Sequence, residues 1–452
     1  MKSSLVKRSL LVGGALATLA ASFVSTGTPA SAEFAPQTSN LVIAAGGSDT
    51  TEKFMDALMT STYAPAGQTW VNVPSFPTSP VSVPGDVNCP TMSWHPAGVT
   101  PTLPDRLAPA GSGNGRTMFN TLIGDNNLYG GVGVKGCLDI ARSSSFSSSS
   151  PNVGTGEYYA FALDALSWAT ASVSAPAAIS IADLQKIYNC TYDDWSQLPG
   201  GSAGPIQRYL PNTGSGTYQS FMSDLLGSPT FNVAVTTATC PAVKYVNADG
   251  GVLEENNAGV IDPADWQSAI MPYSAGQYVM QANAAANPTI DKRMLPGGGS
   301  PVRLGGFLTN VDANGLTTNK LLNANPIAYN VIDRKWQLND AGLSVVQPGA
   351  PGGYPITEAG STRVNSSPDW KGVRLVYNVL DTRSPNYVEA LMAVGFDNVV
   401  GSSTKSALCN GERAALIASF GFAPLPTTGV TGTVGASANY NLANSTCRKI
   451  AI

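Results

Sequence analysis

The sequence predicts an α/β fold in two domains, and three observations carry that prediction. The chain has 452 residues, more than one ordinary domain holds. Short apolar runs are repeatedly followed by a polar Gly/Ser/Thr turn and then by apolar residues at helical spacing, a strand–turn–helix pattern. Hydrophobic residues make up 43% and charged residues only 12%, with 47 Gly and 32 Pro, the composition of a loop-rich globular protein with sizeable cores.

Lys2, Lys7 and Arg8, the apolar run Leu10–Val24 and the small residues Ala30-Ser31-Ala32 read as a secretory signal, residues 1–32. Cleavage there removes three cations from a chain of net charge −4. No Cys at the cleavage region suggests a lipid anchor, and no later stretch is long and apolar enough to span a bilayer. The expectation is a secreted, extracellular protein. Nothing is basic enough to suggest a nucleic-acid partner.

Leu41–Ala45 reads as a buried strand, followed by the polar turn Gly46–Thr51 and then by Phe54, Met55, Leu58 and Met59 at helical spacing. Residues 64–115, rich in Pro, Gly, Ser and Thr, read as a surface excursion. A short strand ending at Ile140 runs into a second polar turn carrying Arg142, Ser143 and Ser144. Tyr158–Val173 is strand-like, with Asp164 inside it. Ile179–Tyr188 is a helix capped by Ser180, and Ile206–Leu210 is a strand.

The third turn is the most informative. Thr213–Leu226 reads TGSGTYQSFMSDLL, with Tyr218, Phe221, Met222, Leu225 and Leu226 on one helical face. Gly214–Thr217 then opens a helix, where free N–H groups and hydroxyls suit an oxyanion. An ordinary Ser cap has the same local pattern. The repetition of the device favours the functional reading, and Arg142 adds a fork of donors matched to a tetrahedral anion. Downstream, Ala269–Met280 reads as a strand, Val373–Leu380 as a strongly β-like run, and Tyr387–Val394 and Cys409–Phe420 as helices. Leu425–Gly429 (LPTTG) matches a sortase signal but lacks the apolar segment and basic tail such a signal needs.

The six cysteines, Cys89, Cys137, Cys190, Cys240, Cys409 and Cys447, suggest three disulfides in an exported chain. The pairing Cys89–Cys137, Cys190–Cys240 and Cys409–Cys447 closes each loop within one region. The spacings are not those of a zinc site, and His95 is the only histidine, so no metal and no cofactor is expected.

The pieces GGSDTT (Gly46–Thr51), DIARSSS (Asp139–Ser145), ISIADLQKIYNCTYDDWSQL (Ile179–Leu198), IQRYLPNTGSGTYQSF (Ile206–Phe221) and IMPYSAGQYV (Ile270–Val279) occur in a recognisable order. On these motifs the chain resembles the PstS-like phosphate-binding proteins of ABC transporters, in the type II periplasmic-binding-protein family. The resemblance runs from about residue 40 to 280 and is looser beyond; residues 64–115 and 290–365 look like additions. It implies two α/β lobes with ligand closed between them and two crossing strands, near Leu163–Val173 and Ile270–Val279. Lobe one would be residues 33–165 with 281–452, and lobe two 166–280. It implies a ligand set of Ser48, Asp49, Thr50, Arg142, Ser143, Ser144, Ser215, Gly216 and Thr217, with phosphate or a similar oxyanion as partner, a monomeric state, and an ABC permease as a further partner.

Two departures bear on that set. The family usually places an Arg four residues before the serine of the SGT motif; Pro211 stands there, Arg208 is the nearest cation, and Arg142 is the one placed to supply the charge. Ser144 replaces the Asp that in the family accepts the proton of hydrogenphosphate, which leaves Asp49 as the nearby carboxylate. The expected function is capture of an oxyanion by a non-enzymatic binding protein. The alternatives are an extracellular protein of the same fold that no longer serves transport, and a serine hydrolase. The hydrolase would have to recruit His95, and neither Ser48 nor Ser215 sits in a G-x-S-x-G elbow.

Overall fold

The computed structural model describes residues 41–59, 67–77, 105–123, 137–146, 156–246, 251–284, 290–307, 373–394 and 413–424. It also describes short pieces at 64, 79–82, 91–93, 128–129, 132–133, 326–330, 335–338, 396–397, 405–406, 431–434, 438–441 and 449–451. All belong to one compact unit, Thr38–Ile452. The signal segment, His95, Leu425–Gly429, Cys89, Cys409 and Cys447 lie outside the described residues.

Strand β1 (Leu41–Gly47) is buried from Ile43 onward. The polar turn after it leads into helix α1 (Glu52–Leu58), which buries Phe54, Met55 and Leu58 as its periodicity predicts. Strand β2 (Gln68–Asn72) runs parallel to β1, with Leu41 opposite Gln68 and Ala45 opposite Asn72. Helix α2 spans Ser112–Ile123 and strand β3 spans Ile140–Ser143. The long strand β4 (Gly156–Thr170) precedes helix α3 (Ile181–Tyr188), whose Ser180 and Asp183 form the reciprocal cap expected of that spacing. Strand β5 (Gln207–Arg208) leads to helix α4 (Gly216–Ser220), which continues as a wider turn over Phe221–Leu225. Then follow strand β6 (Ala269–Ser274), helix α5 (Ala275–Asn283), strands β7 (Arg303–Leu304) and β8 (Val373–Asp381), helices α6 (Tyr387–Ala393) and α7 (Ala414–Ser419), and strand β9 (Lys449–Ala451).

The sheet order is β5-β6-β4-β8-β3-β1-β2, with β7 and β9 also on β4. Parallel pairs flank an antiparallel centre, so the fold is mixed α/β. Strand β4 is the spine. From Gly156 to Ala165 it pairs with β8, and from Leu166 to Ala169 it pairs with β6. The two segments expected to cross thus lie side by side, antiparallel, Leu166 opposite Ser274.

Several boundaries differ from the sequence expectation, each for a tertiary reason. Residues 64–115 are not all a surface excursion: Gln68–Asn72 completes the sheet edge, and Ala108 and Ala110 are buried. The half-exposed edge position of β2 removes the apolar signature that marks a central strand. Strand β3 begins at Ile140 rather than ending there, because β8 recruits Arg142 and Ser143 into the ladder. The run Ala269–Met280 is a strand only to Ser274. There the Ser274 hydroxyl accepts from the Gln277 N–H at 3.2 Å and starts α5. Helix α7 covers Ala414–Ser419, within the expected Cys409–Phe420, of which residues 409–412 lie outside the described residues.

Cys190 and Cys240 are bonded to each other, as expected, and Cys137 is also disulfide-bonded. The Cys190–Cys240 bridge sits beside Arg208, whose fully buried guanidinium donates to four backbone carbonyls: Pro241 (2.6 Å), Tyr188 (2.7 Å), Val235 (2.8 Å) and Val233 (3.3 Å). Arg208 is therefore a strut for this irregular arm. The double substitution Cys190→Ala/Cys240→Ala should lower the unfolding free energy by about 2–5 kcal/mol. Urea titration checks this, and an unchanged midpoint would show that Arg208 alone holds the arm.

Candidate functional site

The first polar turn begins where β1 stops. Gly47 has φ +121°, and a side chain there would meet the Arg142 carbonyl at 2.6 Å, so the position requires glycine. The Ser48 N–H donates to that same carbonyl at 3.0 Å. Ser48, Asp49, Thr50 and Thr51 are all buried, and the Ser48 and Thr51 hydroxyls have no hydrogen-bond partner among the described residues. Buried hydroxyls are normally satisfied, so these two are conspicuous.

A second group forms where the start of α2 meets the end of β3. The Ser112 hydroxyl accepts from the Ser144 N–H at 2.9 Å and lies 3.1 Å from the Ser144 hydroxyl. The Gly113 N–H donates to the Gly214 carbonyl at 2.8 Å, stitching this group to the third turn. Arg116 spans the same junction. It donates to the Ser143 hydroxyl at 2.6 Å, the Ser145 carbonyl at 3.0 Å and the Gln219 side-chain carbonyl at 3.2 Å.

In the third turn Ser215 acts as the cap of α4, accepting from the N–H groups of Thr217 (3.0 Å) and Tyr218 (3.3 Å). Glycine at 216 is a packing requirement. A Cβ there would lie 2.4 Å from the Ser112 hydroxyl and 2.6 Å from that of Ser144.

Two residues absent from the sequence-derived set join these turns. Arg374 on β8 sits opposite Asp164 on β4 and donates to its Oδ2 from Nε (3.0 Å) and Nη2 (2.8 Å). Its Nη1 reaches the Thr217 hydroxyl at 2.6 Å and its Nη2 reaches the Thr50 hydroxyl at 3.3 Å. Glu255 accepts from the Thr50 hydroxyl at Oε1 and from the Ser215 hydroxyl at Oε2, the latter at 3.3 Å. Its Oε1 is 4.0 Å from Arg374 Nη2. The Ser274 N–H donates to the Glu255 carbonyl at 3.1 Å, fixing that backbone to the end of β6.

The site is strongly acidic inside. Burial, then the charges of Glu255 and Glu254, hold Asp49 well above the usual carboxylate range, and it shares a side-chain hydrogen bond with Glu255. Burial and the neighbouring carboxyls thus favour the protonated form of Asp49, the form that can donate to Glu255. Burial pushes the Glu254 carboxyl up to about 8, against the pull of Lys292 and with the push of Glu52 and Glu255.

The structure thus brings Thr50, Asp49, Ser215 and Thr217 together around Arg374 and Glu255, with Gly216, Ser144 and Ser112 adjoining. Arg142 is placed differently. Its fully buried guanidinium donates to the carbonyls of Val73 (2.8 Å) and Ser48 (2.9 Å), to the Ser75 hydroxyl (3.1 Å) and to the Asn72 side chain, with Glu52 at 3.9 Å. Ser143 faces Arg116. Ser112 carried a legible signal: Gly111–Gly115 reads GSGNG, the same kind of turn as Gly214–Thr217, at the head of Arg116, Met118 and Phe119. Arg374 and Asp164 carried another, as lone opposite charges inside two apolar β-like runs. Glu255 had none beyond the Glu254-Glu255 doublet.

A family model described as a PBP superfamily domain matches residues 97–355, more than half of the chain. The chain belongs to the PBP superfamily. The matched segment contains Ser112, Arg142–Ser144, Asp164, Ser215–Thr217 and Glu255. None of the curated proteins matches this PBP-superfamily chain. Solved structures similar to it include a putative phosphate ABC transporter substrate-binding protein from Clostridium perfringens with bound phosphate. That protein is 12% identical, over 85% of this chain and 99% of the other, with a TM-score of 0.43. An ancestral soluble variant of the human phosphate binding protein is 14% identical, over 85% and 90%, with a TM-score of 0.47. An ABC-type phosphate transport receptor from Vibrio cholerae is 13% identical, over 84% and 98%, with a TM-score of 0.39.

Two outcomes follow for the PBP-superfamily site. Arg142→Met should cost about 3–5 kcal/mol of stability, because it strands buried carbonyls and Glu52. Chemical denaturation reads that cost, and full stability would refute the frame role. A carboxyl raised in the fold stabilises fully below its unfolded value and loses that contribution as pH climbs through the folded one. Glu254 should thus erode stability between about pH 4.5 and 8. Glu254→Gln should raise the denaturation midpoint more at pH 8 than at pH 5; an equal gain at both would place the Glu254 titration elsewhere.

Proposed function

We propose that this chain is a non-enzymatic solute-binding protein that captures phosphate or a related oxyanion among the three polar turns. One observation carries the reading: hydroxyls from separate elements, Thr50 after β1 and Thr217 in α4, meet on a single buried guanidinium, that of Arg374. Hydroxyl and guanidinium donors converging out of water are what binds a tetrahedral oxyanion, because charge-assisted hydrogen bonds strengthen when desolvated. The unpartnered Ser48 hydroxyl supports the same reading, as a donor without an acceptor. The binding set is Ser48, Asp49, Thr50, Ser112, Ser144, Ser215, Gly216 and Thr217 with Arg374. Arg142 and Ser143, expected from the sequence to be ligand contacts, lie instead in the frame of the site, where Arg142 holds backbone carbonyls and Ser143 accepts from Arg116.

The chain's acidity is compatible with this function, since local donors rather than net charge set affinity in a closed cleft. The sequence-derived lobes, residues 33–165 with 281–452 and residues 166–280, fit a closure in which the Ser48 turn and the Ser215 turn approach from opposite sides. β4 and β6 would be the connections. The signal-like residues 1–32 favour secretion, and ABC-type uptake by a monomer is the role that suits a secreted PBP-superfamily binder.

Calorimetric titration with inorganic phosphate and with sulfate tests the proposal. Binding of either supports it, and silence with both refutes it. Ser112→Ala should weaken phosphate by about 10-fold or more, the loss of one hydrogen bond to a charged ligand. Unchanged affinity would remove Ser112 from the site.

A further inference from the structure

The point on which the turns converge is filled by the chain itself. Glu255 accepts from the Thr50 and Ser215 hydroxyls, shares a hydrogen bond with Asp49 and lies 4.0 Å from the Arg374 guanidinium. These are the donors that the proposed function assigns to an anion. Glu255 is fully buried, and a carboxylate out of water needs such partners. A cavity of about 420 Å³ lined by Asn257, Lys292 and Leu295 contains none of these donors. At the donors themselves, the Glu255 carboxylate holds the place of an anion.

We infer that the Glu255 carboxylate is an internal ligand: it holds the donors of the Thr50 and Ser215 turns together when no anion is bound, and an incoming oxyanion must displace it. The inference rests on the anion-binding reading of this site. The physical logic is competition for shared donors. Two anions cannot share three hydroxyl or carboxyl protons and one guanidinium in a dry site without strong repulsion. Each anion therefore binds only by the difference between its contacts and those of Glu255, which lowers affinity for every anion and sets a threshold on how well a ligand must fit.

The placement of Glu255 fits a movable occupant. It lies in the turn Leu253–Asn257, tied down by its backbone carbonyl to Ser274 and by the Asn256 carbonyl to the Gln281 side chain at 2.6 Å. The side chain can then rotate away while the backbone stays. The titratable groups around it are the carboxyls of Asp49 and Glu254 and the Arg374 guanidinium, which Asp164 already pairs; Lys292 and Lys53 act on Glu254, and Arg142 acts on Asp49. Withdrawing Glu255 from this centre leaves Arg374 with one fewer anion to balance, and an oxyanion can take that place.

The test is calorimetric titration of the parent, Glu255→Gln and Glu255→Asp with inorganic phosphate and sulfate, with unfolding temperatures recorded for each with and without phosphate. Glu255→Gln keeps the shape and removes the charge. It should bind phosphate at least 10-fold tighter than the parent, lose stability without anion and regain more than the parent on phosphate addition. Glu255→Asp retracts the charge by one methylene and should fall between the two; it decides the matter if Glu255→Gln does not fold. An affinity for phosphate equal to the parent's overturns the inference while leaving the anion site standing. A weaker affinity also overturns it, because Glu255 would then be a contact of the anion. Absence of any heat with parent and both variants is the separate failure of the anion-binding reading itself.

Discussion

The rest of this structure depends on one buried ion pair, Arg374 with Asp164. The two residues face each other across β8 and β4, the strands at the centre of the sheet, and both are almost wholly out of water. A lone charge in that position would be prohibitive, and removal of either partner should cost about 3–5 kcal/mol. The bidentate contact fixes the plane of the guanidinium. Its remaining donors then point to two particular hydroxyls, those of Thr50 and Thr217, one from each side of the spine. Asp164 also accepts from the Ser274 hydroxyl (2.9 Å) and the Gly276 N–H (3.1 Å), so the same carboxylate sets where β6 ends and α5 begins. Sheet register, helix start and site geometry share one anchor.

Around that anchor the charges are imbalanced. Asp49, Glu254 and Glu255 repel one another, while Asp164 and Glu255 lie against the Arg374 guanidinium. Such a cluster survives burial because some of its members stay protonated: Asp49 is held far above its ordinary value, and Glu254 at about 8. On the proposed reading, such a site chooses between holding its own carboxylate and holding an external anion. The difference between those states is a few hydrogen bonds, the scale on which ligand binding is decided.

Two further arginines are spent on structure. Arg142 gathers carbonyls from the Ser48 turn and the end of β2, and Arg208 gathers four carbonyls around the Cys190–Cys240 arm. Arginine suits this work because its flat fork of donors can serve several fixed acceptors at once. Both occur in polar contexts that look like ligand positions when read along the chain.

The sequence by itself determined the class of fold, the strands β1, β4 and β8, the helices α1, α3 and α6, the Cys190–Cys240 pairing and the gathering of Asp49, Thr50, Ser215 and Thr217. These are legible because local patterns specify them: apolar runs, 3.6-residue periodicity, Ser caps and Gly-Ser turns act over a few residues. Only the tertiary structure decided which cation serves the turns. Arg142 stands two residues before Ser144 in sequence, yet its guanidinium is consumed by the frame, whereas Arg374 arrives from 157 residues beyond Thr217. Glu255 lies 205 residues from Thr50 and 40 from Ser215, and no local pattern marks it. The direction of a long side chain and the identity of its partner depend on which strands lie adjacent, a matter of sheet order rather than of spacing along the chain.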